Sequence, residues 1–377
     1  MPTTFRDPAK TMSKGATPLS GPYYTAPEIF EQELERIFYE RWVYVGRAEQ
    51  IPDPGDYILY EIGRESIIVV RTADEKIQGH YNVCRHRGTR LCVKTQGQFN
   101  KTIQCPYHAW TYGLDGQLLG APHMNGVATF DKKNYPLTPV AINTWEGFVF
   151  ANLSSEPAPL TEAFAPLAGK FSSWDMPKLR SAHRIDYEVQ ANWKLIVENY
   201  SECYHCPLIH PELVRRTDYL SGINDLYEGA FLGGYMNMLE TSASMTLSGE
   251  ASSRPIGSVS GEDLSRVYYY SIFPNILLSL HPDYVMVHRL MPQTPARTTV
   301  ICEWLFDPEV MTRPNFSPDD AVEFWDITNR QDWQACEWSQ MGVSSRAYIP
   351  GPYSGREGLL AAFDEEVRRT LGHSPGT

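Results

Sequence analysis

Four residues constrain this chain more than any others: Cys84 and His86 in one short segment, and Cys105 and His108, which follow after eighteen intervening residues in Cys105-Pro106-Tyr107-His108. Two loops that each offer one thiolate and one imidazole can hold a four-ligand site. The mixed donor set suits zinc or a [2Fe–2S] cluster with two Cys on one iron and two His on the other. A Cys₂His₂ finger keeps its two Cys together and its two His together, whereas here each loop carries one of each, the arrangement the mixed cluster needs. The surrounding residues form short β-branched and aromatic runs at 57–62, 66–72 and 147–153, separated by turn residues such as Pro54-Gly55-Asp56, so this module reads as all β. Cys92, between the loops without a paired His, reads as a packing residue. Arg85, Arg87 and Arg90 stand beside the loops, where they can offset cluster charge or meet a redox partner.

Composition narrows the partners. Seven Cys in 377 residues is an odd, sparse set, so the cysteines are expected to be reduced. A net charge of −12 argues against nucleic acid or an anionic membrane surface. No apolar run approaches the roughly 20 residues of a membrane span, and the first residues lack the apolar core of a signal peptide, so a cytoplasmic protein is expected. Neither G-x-G-x-x-G nor G-x-x-x-x-G-K-[ST] occurs, which leaves no handle for a nucleotide cofactor of its own.

A second constellation lies in the segment 191–206, where Trp193, Leu195, Ile196 and Val197 predict a buried helix. Glu198, Glu202 and His205 fall at i, i+4 and i+7 and would share one face; His210 follows five residues later. Buried ionisable groups cost several kcal/mol unless paired or metal-bound. Two neutral imidazoles plus one carboxylate make the facial triad of non-haem Fe(II) sites, with the opposite face open to O₂ and substrate. The carboxylate must come from another element. In the helical pattern of 318–341, Trp325, Asn329, Asp332, Cys336 and Gln340 make one stripe on which Asp332 is the only acid, while Asp326 lies on a different face.

The remaining pattern gives an α+β order. Thr25-Ala26-Pro27-Glu28 reads as a capping box opening a helix that runs to Trp42, with Ile29, Phe30, Leu34, Ile37 and Phe38 on its apolar face. Residues 154–159 read as a linker. Strand patterns at 267–272, 275–281, 284–290 and 298–306 follow one another through short turns and predict an antiparallel meander. The expected division is an arm and helix over 1–43 that packs on the last domain, an all-β domain over 44–155, and an α+β domain over 156–377.

Together, C-x-H…C-P-Y-H-x-W-x-Y and E-N-x-x-E-x-Y-H-x₄-H resemble the catalytic α subunit of the Rieske non-haem iron aromatic-ring-hydroxylating oxygenases, and the resemblance covers nearly the whole chain. It implies a Rieske [2Fe–2S] domain held by Cys84, His86, Cys105 and His108. It also implies a helix-grip, START-like catalytic domain, an antiparallel sheet flanked by helices, in which His205, His210 and Asp332 hold a mononuclear Fe(II). Members of the family form a ring-shaped homotrimer, and the resemblance puts Glu202 at the bridge between a cluster His of one subunit and an iron His of its neighbour. Glu198 or Glu202 would bond the second nitrogens of the ligating imidazoles. Electrons would come from NAD(P)H through a separate flavin or iron–sulfur reductase, to be used with O₂ and a small-molecule substrate.

Most ring-dihydroxylating members carry Asp at the Glu202 position. The longer Glu, and similarity to the branch that hydroxylates methyl groups of quaternary ammonium compounds such as glycine betaine, choline, stachydrine or carnitine, imply monooxygenation with N-demethylation. The aromatic and Met residues of 231–238 and 244–246 are candidate pocket walls, able to hold a cation at about 0.5–2 kcal/mol per ring. One competing reading is a mono- or dioxygenase acting on an aromatic acid, with Arg289 as carboxylate partner. Another is a Rieske electron carrier whose second domain is merely structural.

Overall fold

Pro27 decides how the chain begins. Ala26, the residue before it, is extended (φ −79°, ψ 123°), because the α region is disfavoured ahead of proline. The expected helix from Thr25 to Trp42 is therefore broken into a turn Pro22–Thr25, a helix Pro27–Glu33 and a π turn Leu34–Phe38. Thr25 does not cap; its Oγ1 donates back to Gly21 O (2.9 Å). Phe30, Leu34 and Ile37 are buried all the same.

The computed structural model describes residues 5–373. It divides into a unit spanning Phe38–Leu160 and a second that joins the segment ending at Ile37 to the chain from Thr161 onward. The first unit holds β1 (Val43–Arg47), β2 (Asp56–Ile62), β3 (Glu65–Arg71), β4 (Ile77–Tyr81), β5 (Gln96–Gln98), β6 (Thr102–Gln104), β7 (Thr111–Gly113), β8 (Leu118–Gly120), β9 (Pro139–Trp145) and β10 (Phe148–Asn152). Seven of these form one antiparallel sheet, ordered β1-β10-β9-β4-β3-β2-β5, and β6-β7-β8 form another. Between them lies a core of Tyr57, Ile68, Ile103, Trp110 and Tyr112 that takes in both Cys84 and Cys105.

In the second unit, β11 (Arg180–Val189), β12 (Thr217–Tyr227), β13 (Phe231–Met238), β14 (Arg266–Ile272), β15 (Ile276–Leu280), β16 (Val285–Thr294) and β17 (Arg297–Phe306) form a seven-stranded antiparallel sheet, ordered β11-β17-β16-β15-β14-β13-β12. The meander is β14 to β17. Three helices frame this unit's ionisable side chains: Trp193–Tyr200, the long helix Asp319–Val343 and the closing helix Gly358–Leu371. Asn192 caps the first by accepting from Lys194 N (3.0 Å), and its own backbone N donates to Gln340 Oε1 of the long helix (2.8 Å). Trp193 Nε1 donates to Glu33 Oε2 (2.8 Å), and Lys194 forms a buried ion pair with the same carboxylate, which fastens the N-terminal helix to this one. Among the described residues no helix is long and apolar enough to cross a membrane.

Candidate metal centres and active-site cavity

The two Cys/His loops are built alike. Gly88 N donates to Cys84 O (2.9 Å) and Ala109 N to Cys105 O (3.1 Å), so each loop closes a five-residue turn on its cysteine. Both closing residues have positive φ, 74° at Gly88 and 56° at Ala109. Glycine adopts this freely, whereas Ala109 carries about 1–2 kcal/mol of strain. The thiols are buried, and Cys84 Sγ lies 3.3 Å from the Tyr112 hydroxyl, which also accepts from Arg85 N (3.1 Å). His86 and His108 stand partly exposed with ring centroids 4.7 Å apart, and His86 stacks flat on Trp110 at 4.9 Å. Burial pushes the Cys84 thiol up despite the Tyr112 contact, so a thiolate there calls for a compensating cation. His86 Nδ1 is buried with no hydrogen-bond partner among the described residues. Two buried thiols, two outer imidazoles and an orphaned ring nitrogen are a donor set that fits a [2Fe–2S] cluster with its cysteine side inward.

At the second site the helix Trp193–Tyr200 ends at Ser201, whose N donates back to Val197 O and Glu198 O (3.1 Å each). Glu202 then caps the next turn: its Oε2 accepts from Tyr204 N and from His205 N (3.3 Å), and its Oε1 lies 2.5 Å from His205 Nδ1. A short helix Cys206–Ile209 follows, with His210 at its C-cap. His205 Nε2 and His210 Nε2 are 3.0 Å apart, and Asp332 Oδ1 lies 2.9 Å from the second and 3.3 Å from the first. Cis donors on an octahedral ion with bonds of roughly 2.1 Å stand about 3.0 Å apart, so this triangle has the edges of one face of such a site. Burial opposes charge on His205, but Asp332 and Glu202 outweigh it and hold the imidazole up at about 10. Burial likewise raises Asp332, and its two imidazoles more than reverse this, leaving the carboxyl below its usual range.

Three expectations are corrected here. Glu198 reaches neither imidazole, because the helix stops at Tyr200 and its face does not continue to Glu202 and His205. Its Oε1 instead accepts from Tyr24 OH (2.9 Å), and it pairs with Asp364 of the closing helix, whose Oδ2 accepts from Tyr353 OH (2.7 Å). The second nitrogen of His210 is served by Gln331, whose Oε1 is 2.8 Å from Nδ1. Cys203 and Cys206 are joined in a disulfide, leaving five free cysteines rather than seven. Cys206 Sγ lies within 4.8 Å of both imidazole donors, but a disulfide sulfur has no thiolate to give, and the carboxylate beside both rings is that of Asp332. Asp326 is occupied by Tyr187 OH (2.7 Å) and Arg330 (2.9 Å).

A cavity adjoins the triangle. Tyr200, Tyr219, Tyr235, Tyr269, Trp325 and Trp333 give it aromatic walls, and His288, Asn329 and Arg356 add polar groups. The strand residues 232–236 supply one side. A Cβ at Gly233 would stand 2.3 Å from Tyr269 O and one at Gly234 1.8 Å from Ile223 O, so neighbouring backbones close this wall. Burial pushes His288 down to about 4, and its Nε2 lies 3.2 Å from Asn329 Oδ1. Ser244, Met245 and Thr246 do not line the cavity; they are buried elsewhere, Ser244 Oγ donating to Asp283 Oδ1 (2.6 Å). Nor does Arg289, which sits partly buried on β16.

Residues 176–373 match the family described as ring hydroxylating alpha subunit (catalytic domain), and residues 41–131 match the Rieske [2Fe-2S] domain. The chain belongs to the ring-hydroxylating Rieske oxygenases. The glycine betaine monooxygenase oxygenase subunit of Pseudomonas aeruginosa is 32% identical to it over 94% of this chain and 90% of its own. The corresponding subunit of Chromohalobacter salexigens is 34% identical over 90% and 82%. The quaternary ammonium Rieske monooxygenase CntA, solved with an inhibitor, superposes with a TM-score of 0.81 at 26% identity and covers 97% of both chains. As a Rieske oxygenase, the protein works with a [2Fe–2S] cluster and non-haem iron, and a separate reductase supplies electrons from NAD(P)H. The electron-carrier reading ends here, since the oxygenase catalytic domain accounts for the second half of the chain. Two residues at this oxygenase's centre escaped the sequence reading. Gln331 precedes Asp332 but shows its partner only once the long helix packs on His210, and Arg356 lies in irregular chain with no periodic signal.

Proposed function

We propose that this Rieske oxygenase is the terminal component of a quaternary ammonium monooxygenase, hydroxylating an N-methyl group that is then lost as formaldehyde. The observation that carries the reading is an aromatic-walled cavity against the His205–His210–Asp332 triangle, in a chain related to glycine betaine and carnitine monooxygenase oxygenase subunits. A quaternary ammonium has no N–H to donate, so hydrogen bonds cannot hold its head; ring faces can, at about 0.5–2 kcal/mol each. The balance is one methyl C–H, O₂, two electrons and two protons giving the N-hydroxymethyl compound and water. That compound releases formaldehyde and a proton, and leaves a tertiary amine.

In this reading Cys84 and Cys105 bind one cluster iron and His86 and His108 the other, while His205, His210 and Asp332 bind the mononuclear iron. The iron, when bound, supplies O₂ activation. The chain does the rest: Gln331 holds the Nδ1 proton of His210 so that Nε2 is free to ligate, and Glu202 orients His205 in the same way. Glu202 is about one-tenth exposed, and we assign it the contact with a cluster His of a neighbouring copy in a homotrimer. CntA, for which inter-subunit electron transfer is described, supports that arrangement by likeness. The domain limits we adopt are 1–43, 44–155 and 156–377, and we assign the protein to the cytoplasm, where NAD(P)H and a reductase are at hand.

The test is turnover of the reconstituted enzyme and reductase with a panel of betaines and aromatic acids. Formaldehyde from a quaternary ammonium compound supports the reading. Ring-hydroxylated product from an aromatic acid, with no formaldehyde from any betaine, overturns it. A monomer on gel filtration under active conditions removes the inter-subunit bridge.

A further inference from the structure

The cavity contains one arginine whose charge no described carboxylate answers. Among the described residues that line it, Arg356 is the only Arg or Lys. Its side chain is partly buried, and it makes no ion pair with any described carboxylate. Partners are not scarce in a chain with 45 acidic and 33 basic residues. Glu357, its neighbour in sequence, is spent on Ser354 N (2.6 Å), and the cavity's own carboxylates, Glu202 and Asp332, are held by His205 and His210.

Arg356 also stands on a frame. At Gly358, two residues on, a Cβ would lie 2.2 Å from Thr11 Oγ1 and 2.8 Å from Pro8 O, so the N-terminal arm is packed hard against the start of the closing helix. Thr11 Oγ1 in turn accepts from Asn224 Nδ2 of β12 (2.9 Å), and Pro8 and Asn224 line the same cavity. Arm, β12 and closing helix thus meet where Arg356 enters.

We infer that Arg356 binds a substrate carboxylate and thereby selects zwitterionic quaternary ammonium compounds over choline-like cations; the inference rests on the function proposed above. An arginine fork matches a carboxylate with two parallel hydrogen bonds. A bare cation would meet the guanidinium only as a like charge in a partly desolvated space, whereas a betaine answers it with its carboxylate and leaves its ammonium head for the aromatic walls. His288 does not compete for the anion, because burial keeps its imidazole neutral.

The experiment compares wild type, Arg356→Gln and Arg356→Lys on glycine betaine, carnitine and choline. It reads formaldehyde release with the reductase and, separately, calorimetric binding of each compound to the holoenzyme. Losing a charged hydrogen-bond partner predicts a KM and Kd for the two carboxylate compounds about ten- to a hundredfold higher in Arg356→Gln, with partial recovery in Arg356→Lys and no rise for choline. Unchanged binding of the carboxylate compounds in Arg356→Gln overturns the inference, as does a wild type that prefers choline to both. Wild-type enzyme that demethylates none of the three overturns the proposed function itself.

Discussion

Glu202 Oε1 sits 2.5 Å from His205 Nδ1, while Nε2 of the same ring faces His210 and Asp332 at 3.0 and 3.3 Å. One imidazole thus has both nitrogens committed, one to the donor triangle and the other to a carboxylate at the edge of the unit. Both contacts fix the orientation of the ring, and in the function proposed above it would link the mononuclear iron to the surface.

Replacing Glu202 by Gln keeps the shape and removes the charge. Cluster and mononuclear iron are expected to remain while turnover falls about 10- to 100-fold. Iron analysis and formaldehyde release on the same preparation check this, and normal turnover would remove Glu202 from the electron path.

Asp332→Ala takes away the only carboxylate of the triangle. Total iron is expected to fall from about three to about two per chain while the cluster absorption persists. Full iron retention would mean that the third donor lies elsewhere.

Gln331→Leu leaves the triangle intact and frees His210 Nδ1. Retention of the mononuclear iron against a chelator is expected to drop about 10- to 100-fold, and Gln331→Glu, which keeps an acceptor oxygen, should restore most of it. Equal retention in wild type and Gln331→Leu would end the positioning role.

Glu198 and Asp364 form a carboxyl pair too deeply buried for both to ionise. Burial and the neighbouring Asp364 hold Glu198 well above the usual range, and burial lifts Asp364 to about 7. The folded chain therefore keeps a proton that the unfolded chain releases above about pH 4. Stability from the pair is complete below that value and is lost as pH rises through about 7. Glu198→Gln carries a permanent N–H in place of the proton, so it should melt higher than wild type at about pH 8 and close to it at about pH 5. Glu198→Ala instead strands the Tyr24 hydroxyl and should lose about 1–3 kcal/mol at both. A wild-type melting temperature independent of pH across this range would contradict the account.

Six of the proposed metal donors lie in short stretches of chain. Cys84 and His86, Cys105 and His108, and His205 and His210 each lie within a single turn or two, so local backbone preferences alone bring each pair together. The strands β14 to β17 were legible for the same reason, since alternation and short turns are local signals. Pro207 disfavours one helix running through to His210, but the stop at Tyr200 comes seven residues before it.

What sequence could not decide is which side chains meet across long separations. Asp332 could be picked out as the one acid on its stripe, but its approach to His210 exists only because the long helix packs beside Trp193–Tyr200. Glu198 turns to Tyr24 and Asp364, and Arg356 joins a cavity walled by β12 and β13, for the same reason. Periodicity tells a chain where to bend and which face to bury. The partner of a buried charge is chosen by the packing of whole elements, because only there do desolvation and pairing compete.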